Sequence, residues 1–118
     1  MQEFSSYDVF RLIKGKKISK NDLIFANNNF YPLYLIREYL RVDRDLLVTF
    51  KTNELGVLHG QYDSKKVSGH VNFNPLDVTI LANKQVVFVE KKNEWDGEKQ
   101  TWAIVNKNKT AKSIYKIS

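Results

Sequence analysis

Cysteine is absent from this chain of 118 residues, and proline (two), glycine (five), histidine (two) and arginine (four) are scarce. Without cysteine there is no disulfide, no thiolate metal site and no cysteine nucleophile. Small secreted domains often need disulfide staples, so a reducing cytoplasm is the expected setting. The longest apolar runs, such as Val86-Val87-Phe88-Val89, are strand-sized and too short to span a bilayer. The first residues, Met1 to Ser5, carry no basic stretch followed by an apolar one, so no signal peptide is expected. The glycines stand apart at 15, 56, 60, 69 and 97, which leaves no glycine-rich phosphate loop. No G-x-S-x-G, H-E-x-x-H or paired-carboxylate spacing occurs either. An enzyme has no motif behind it, and no cofactor or metal is implied.

What is present suits one globular unit over residues 1–118. The chain is 42% hydrophobic and 13% aromatic, which is a folding composition rather than a disordered one. Its formal charge is +6, carried by 15 lysines against four arginines. Lysine and the 11 asparagines have AT-rich codons, so part of the charge reflects a low-GC coding sequence. That composition and the short length suit a small protein of a phage or mobile element. Arginine, which bidentate phosphate or guanine recognition would favour, is the scarce cation.

The N-terminal part, about 5–42, reads as helical. Ser5 and Asp8 have capping-box spacing, and Phe4 with Val9 would form a hydrophobic staple. The helix they start buries Val9, Leu12 and Ile13 and stops at Gly15. Ser19 and Asp22 repeat the box, so residues 20–27 form either a short helix or a strand over Leu23 to Ala26, with Asn27-Asn28-Asn29 as a turn. Pro32 opens a further helix through about Val42, with Leu33, Ile36 and Leu40 on its buried stripe. From about 46 to 117 the alternation is that of strands. Turns fall at Thr52–Gly56, Asp63–Lys66, Asn83-Lys84 and Asp96-Gly97. Centring the last of these turns places Val89 opposite Ile104. Strand 85–91 is apolar on both faces and therefore central. The predicted fold is α+β: two or three N-terminal helices packed on a six- to seven-stranded antiparallel β-meander, curled at most into a partial barrel.

Four groups of residues are candidates for function. Lys14, Lys16, Lys17 and Lys20 cluster between the first helices, and Lys107, Lys109, Lys112 and Lys116 crowd the C-terminus. Trp102 and Tyr115 interleave with the second cluster. Basic residues around aromatic ones suit a nucleic-acid surface, though lysines also guard edge strands. Tyr31, Tyr34 and Tyr39 lie on or beside one helix whose stripe cannot bury them all, which points to a protein-binding surface. The helix from Pro32, with Arg37, Arg41 and Arg44, partly resembles the reader of a winged helix, but six strands are too many for that fold. Finally, a four-residue turn at Asp63–Lys66 would set His59 directly opposite His70. That pair is the candidate for acid–base chemistry.

The leading reading is a non-catalytic binding module with DNA or RNA as ligand. The runner-up is a protein-binding regulator, inhibitor or structural subunit.

Overall fold

The computed structural model describes residues 3–41, 47–65, 67–90 and 107–117. Among the described residues it is α+β, with two helices and mostly antiparallel sheets.

The first helix, α1 (Ser6–Ile13), follows a two-residue strand, β1 (Phe4–Ser5). Its start is set by Asp8, whose carboxylate accepts from the Ser5 backbone N–H at 2.8 Å and from the Ser5 hydroxyl at 3.2 Å. One face buries Ser6, Val9 and Ile13. The chain leaves through Gly15 at φ +72, a left-handed turn that glycine takes without strain.

Residues 23–26 resolve the helix-or-strand alternative in favour of a strand. Leu23–Ala26 is β2, which pairs antiparallel with β3 (Asn29–Pro32). The second box survives only as a turn: Asp22 accepts from the Ser19 backbone N–H at 2.9 Å, and no helix follows. Leu23, Ile24 and Ala26 are each at most 1% exposed, so burial with partners on both sides overrides the local helix signal. Asn27 and Asn28 turn the hairpin at φ 51 and 65, the left-handed pair that a type I′ turn requires. The second helix, α2 (Leu33–Arg41), starts directly after β3 and buries Leu33, Ile36 and Leu40 as its spacing predicts.

Among the described residues three sheets replace the single meander. The first has the order β1-β4-β5-β6, with β4 (Val48–Thr52), β5 (Leu58–Asp63) and β6 (Ser68–Phe73). The third joins β7 (Val78–Ile80), β8 (Val86–Glu90) and β9 (Lys107–Thr110), with β8 in the centre as its apolar faces predict. Val89 lies opposite Asn108 rather than Ile104. Ala111 extends this ladder, donating its N–H to the Val86 carbonyl at 2.9 Å and packing on the Leu23–Val86–Phe88 cluster. That anchoring sets the register. The proposed hairpin at Asp96-Gly97 lies outside the described residues.

The last strand, β10 (Ile114–Lys116), closes no meander. It crosses to the second sheet and pairs parallel with β2, giving the order β10-β2-β3. Tyr115 and Ile117 pack against the main core there, which is why the tail docks at that edge.

The main core joins α1, α2 and the first two sheets through Val9, Ile24, Tyr31, Leu33, Ile36, Val48, Phe50 and Leu58, all at most 1% exposed. Gly60 admits the Phe50 ring. A Cβ at Gly60 would stand 2.9 Å from Phe50 Cε1.

Candidate nucleic-acid interface

Tyr7, Phe10 and Arg11 of α1 and its C-cap residue Lys14 fall at i, i+3, i+4 and i+7, so they form one stripe. Ser6 and Val9 hold the opposite side in the core, which fixes the rotation of the helix and turns this stripe outward. Tyr7 is 57% exposed. At the C-terminal end, Lys16 donates its backbone N–H to the Ile13 carbonyl at 3.0 Å, folding the chain back beside the helix.

The result is a groove of about 660 Å³ lined by Tyr7, Phe10, Arg11, Ile13, Lys14, Gly15, Lys16 and, from α2, Arg37. The floor is aromatic and aliphatic, and the rim is cationic. Among the described residues no carboxylate lines it. Arg11 is partly engaged, at 2.9 Å from Asp8 on an exposed flank. The Lys16 ammonium sits 5.1 Å above the Tyr115 ring, a cation–π distance. A smaller cleft of about 280 Å³ adjoins on the far side of Arg11, lined by Glu3, Phe4, Asp8, Leu12, Lys116 and Ile117 as well as Arg11 itself.

The structure distributes the predicted lysines unevenly. Lys14 and Lys16 line the groove, and Lys116 lies in the adjoining cleft. Lys17 is exposed but outside both, and the Lys20 ammonium stands 5.8 Å over the Tyr34 ring. Lys112 is exposed near the start of β2, where its backbone N–H donates to the Asn21 carbonyl at 2.9 Å. Lys107 and Lys109 take register positions opposite Glu90 and Phe88. Trp102 and Arg44 lie outside the described residues.

The tyrosine surface is reduced. Tyr31 is fully buried and donates its hydroxyl to the Gly56 carbonyl at 2.8 Å, so it is a core residue and not a docking one. The reason is β3, which turns it inward opposite Ile24. Tyr34 is half-buried under Lys20, and Tyr39 is half-buried against Tyr62 and Phe73. Burial and a hydrogen bond to Tyr62 push the Tyr39 phenol up to about 12.

The histidine register is corrected by two residues. The hairpin closes at Ser64–Val67, where the Ser64 N–H donates to the Val67 carbonyl at 2.8 Å, so the connection is two residues long instead of four. His59 therefore faces Asn72, and His70 faces Gln61. A shift of two keeps every side chain on its predicted face. The imidazoles are diagonal neighbours with ring centroids 5.3 Å apart and planes tilted by 30°. The short turn is stabilised by the Ser64 hydroxyl, which donates to the Val67 carbonyl at 3.0 Å.

No family model matches the chain, and comparison with characterised proteins and with solved structures also finds no match. The Tyr7–Lys14 stripe is the feature that inspection of the lysines alone passes over, although its 3–4 spacing is visible in the sequence. Among the described residues no helix is long and apolar enough to cross a membrane.

Proposed function

We propose that this chain is a non-catalytic nucleic-acid-binding module, working in a reducing cytoplasm, that holds a single strand along the α1 groove. One observation carries the reading: an aromatic floor, Tyr7 and Phe10, is bordered by Arg11, Lys14, Lys16 and Arg37. Single strands are bound by this combination, with bases stacked on aromatic rings and phosphates drawn to a cationic rim. A duplex fits less well, because reading its groove needs a protruding helix or hairpin, and here the helix forms the wall of a depression. With stacking and charge as the sources of affinity, binding is largely indifferent to sequence.

Fluorescence anisotropy with labelled single-stranded DNA, single-stranded RNA and duplex DNA at low salt tests this. Both single strands are expected to bind more tightly than the duplex. Tyr7→Ala should cost about 1–3 kcal/mol, or roughly 5- to 150-fold, as for one lost stacked base. Equal affinity of Tyr7→Ala and the parent, or no binding to any of the three probes, rejects the groove as the site.

The second reading, a protein partner, draws on a different part of the fold. Ile80 is 64% exposed and Leu81 44% at the β7–β8 turn. A stable stoichiometric complex that persists after nuclease treatment would favour it over the first.

A further inference from the structure

The outer face of the first sheet carries Thr49 and Lys51 from β4, His59 and Gln61 from β5, and Ser68, His70 and Asn72 from β6. Its register aligns Lys51, His59 and Asn72 across three strands. The Lys51 ammonium is committed to Glu3 at 2.7 Å. Neither imidazole makes an ion pair among the described residues.

Asn72 orients His59. Its side-chain oxygen lies 2.9 Å from His59 Nδ1, and a carboxamide oxygen only accepts, so Nδ1 donates the proton. In the neutral ring the lone pair then sits on Nε2, at the free tip. This arrangement, in which one ring nitrogen donates to a carbonyl while the other is bare, is the one metal-bound histidines adopt. His70 stands beside it, exposed, with no hydrogen bond among the described residues beyond its ring contact with His59.

The spacing fits one shared ion. A zinc ion bonds imidazole nitrogen at about 2.0–2.1 Å, which puts it about 3.2 Å from the ring centre. Two such rings at a tetrahedral angle have centres about 5.2 Å apart, against 5.3 Å between His59 and His70. The tilt of 30° is no obstacle, since a tetrahedral ion prescribes no angle between the planes of its ligand rings. Both residues rise from adjacent hydrogen-bonded strands, so the pair is held in place before an ion arrives.

We infer that His59 and His70 form a two-histidine site for a borderline divalent transition-metal ion such as Zn²⁺, with Asn72 as the positioning residue. Water completes the coordination, since no group of three or more histidines and carboxylates gathers among the described residues. The inference is independent of the groove on α1, which lies on other elements.

The test is calorimetric titration of the untagged full chain with Zn²⁺ alone, paired with spectra of the histidine ring protons. One ion is expected to bind per chain, with both histidine signals shifting together. His59→Ala and His70→Ala should each weaken binding at least tenfold. Asn72→Ala should weaken it about tenfold by freeing the His59 tautomer, within the range for outer partners of metal ligands. Gln61→Ala, on the same face, should leave it unchanged. Gln61, His70 and Asn72 are exposed and His59 is half-buried, and circular dichroism checks that the sheet persists. Failure to saturate at millimolar Zn²⁺ overturns the inference, as does wild-type affinity in either histidine variant. Retained affinity in Asn72→Ala would remove Asn72 from it.

Discussion

Salt offers the sharpest probe of the groove, because its charge count predicts a slope. Of the four rim cations, Arg11 is paired with Asp8, while Lys14, Lys16 and Arg37 make no ion pair among the described residues. Each phosphate neutralised on a single strand contributes about −0.7 to the slope of log affinity against log salt. Three contacts give a slope of about −2.1, and four, if Arg11 leaves Asp8, about −2.8. Between about 50 and about 200 mM salt the affinity should then fall roughly 20- to 50-fold. Replacing Lys14, Lys16 and Arg37 with alanine leaves one cation at most. The slope should flatten to about −0.7 and the loss over the same range to about threefold. The assay is anisotropy with a labelled oligonucleotide across a salt series, for the parent, this variant, and Lys107→Ala/Lys109→Ala/Lys112→Ala. The groove variant should flatten the slope more than the C-terminal one. An unchanged slope in the groove variant refutes the assignment, and flattening only in the C-terminal variant would move the interface to β9.

Two further predictions concern the scaffold. Ser6 is 1% exposed and its hydroxyl accepts from the buried Val48 N–H at 3.1 Å, so Ser6→Ala strands that donor. Urea unfolding should show a loss of about 1–3 kcal/mol, and an unchanged midpoint would mean that the donor finds another partner. The Tyr39 phenol, pushed up to about 12 by burial and by Tyr62, has a folded value above its ordinary 10.0. Its contribution to stability is therefore complete below pH 10 and is lost as pH rises towards 12. In tyrosinate absorbance one of the six tyrosines should titrate late, and Tyr62→Phe should bring it earlier. Six tyrosines titrating together would contradict this.

The parts of the fold legible in the sequence are those fixed by short-range pattern. The Ser5–Asp8 box starts α1, the Leu33–Ile36–Leu40 stripe orients α2, and the two apolar faces of β8 place it in the middle of its sheet. Where pattern and burial compete, burial prevails. Ser19 and Asp22 satisfy a helix-start spacing as well as Ser5 and Asp8 do, yet the residues after them form a strand. The difference lies downstream. Leu23-Ile24-Phe25-Ala26 is apolar on both faces, so a lone amphipathic helix could not bury it, whereas a strand flanked by β3 and β10 does. The histidine hairpin shows a finer limit. Alternation fixes which face each residue takes, but registers two residues apart satisfy it equally, and only the turn chooses between them. Ser64, bonding across to Val67, makes that choice.

The candidate interface was half legible for a related reason. Lysines at 14–20 and 107–116 lie at opposite ends of the chain, and their spacing offers no reason to link them. The link is the parallel pairing of Ile114–Lys116 with Leu23–Phe25, a contact across some ninety residues that no local signature announces. Once β10 lies beside β2, Tyr115 meets Lys16, and Lys116 enters the cleft that shares Arg11 with the groove. Arg37, Lys14, Lys16, Arg11 and Lys116 then line the groove and the adjoining cleft, with Glu3 and Asp8 among them in the cleft, drawn from two helices, a linker and the final strand. Two of these five are arginines, out of four in the whole chain. The scarcity of arginine that weakened the nucleic-acid reading at the level of composition is thus reversed in space. A count averages over the surface, whereas a ligand meets only the residues that the topology has brought to one edge.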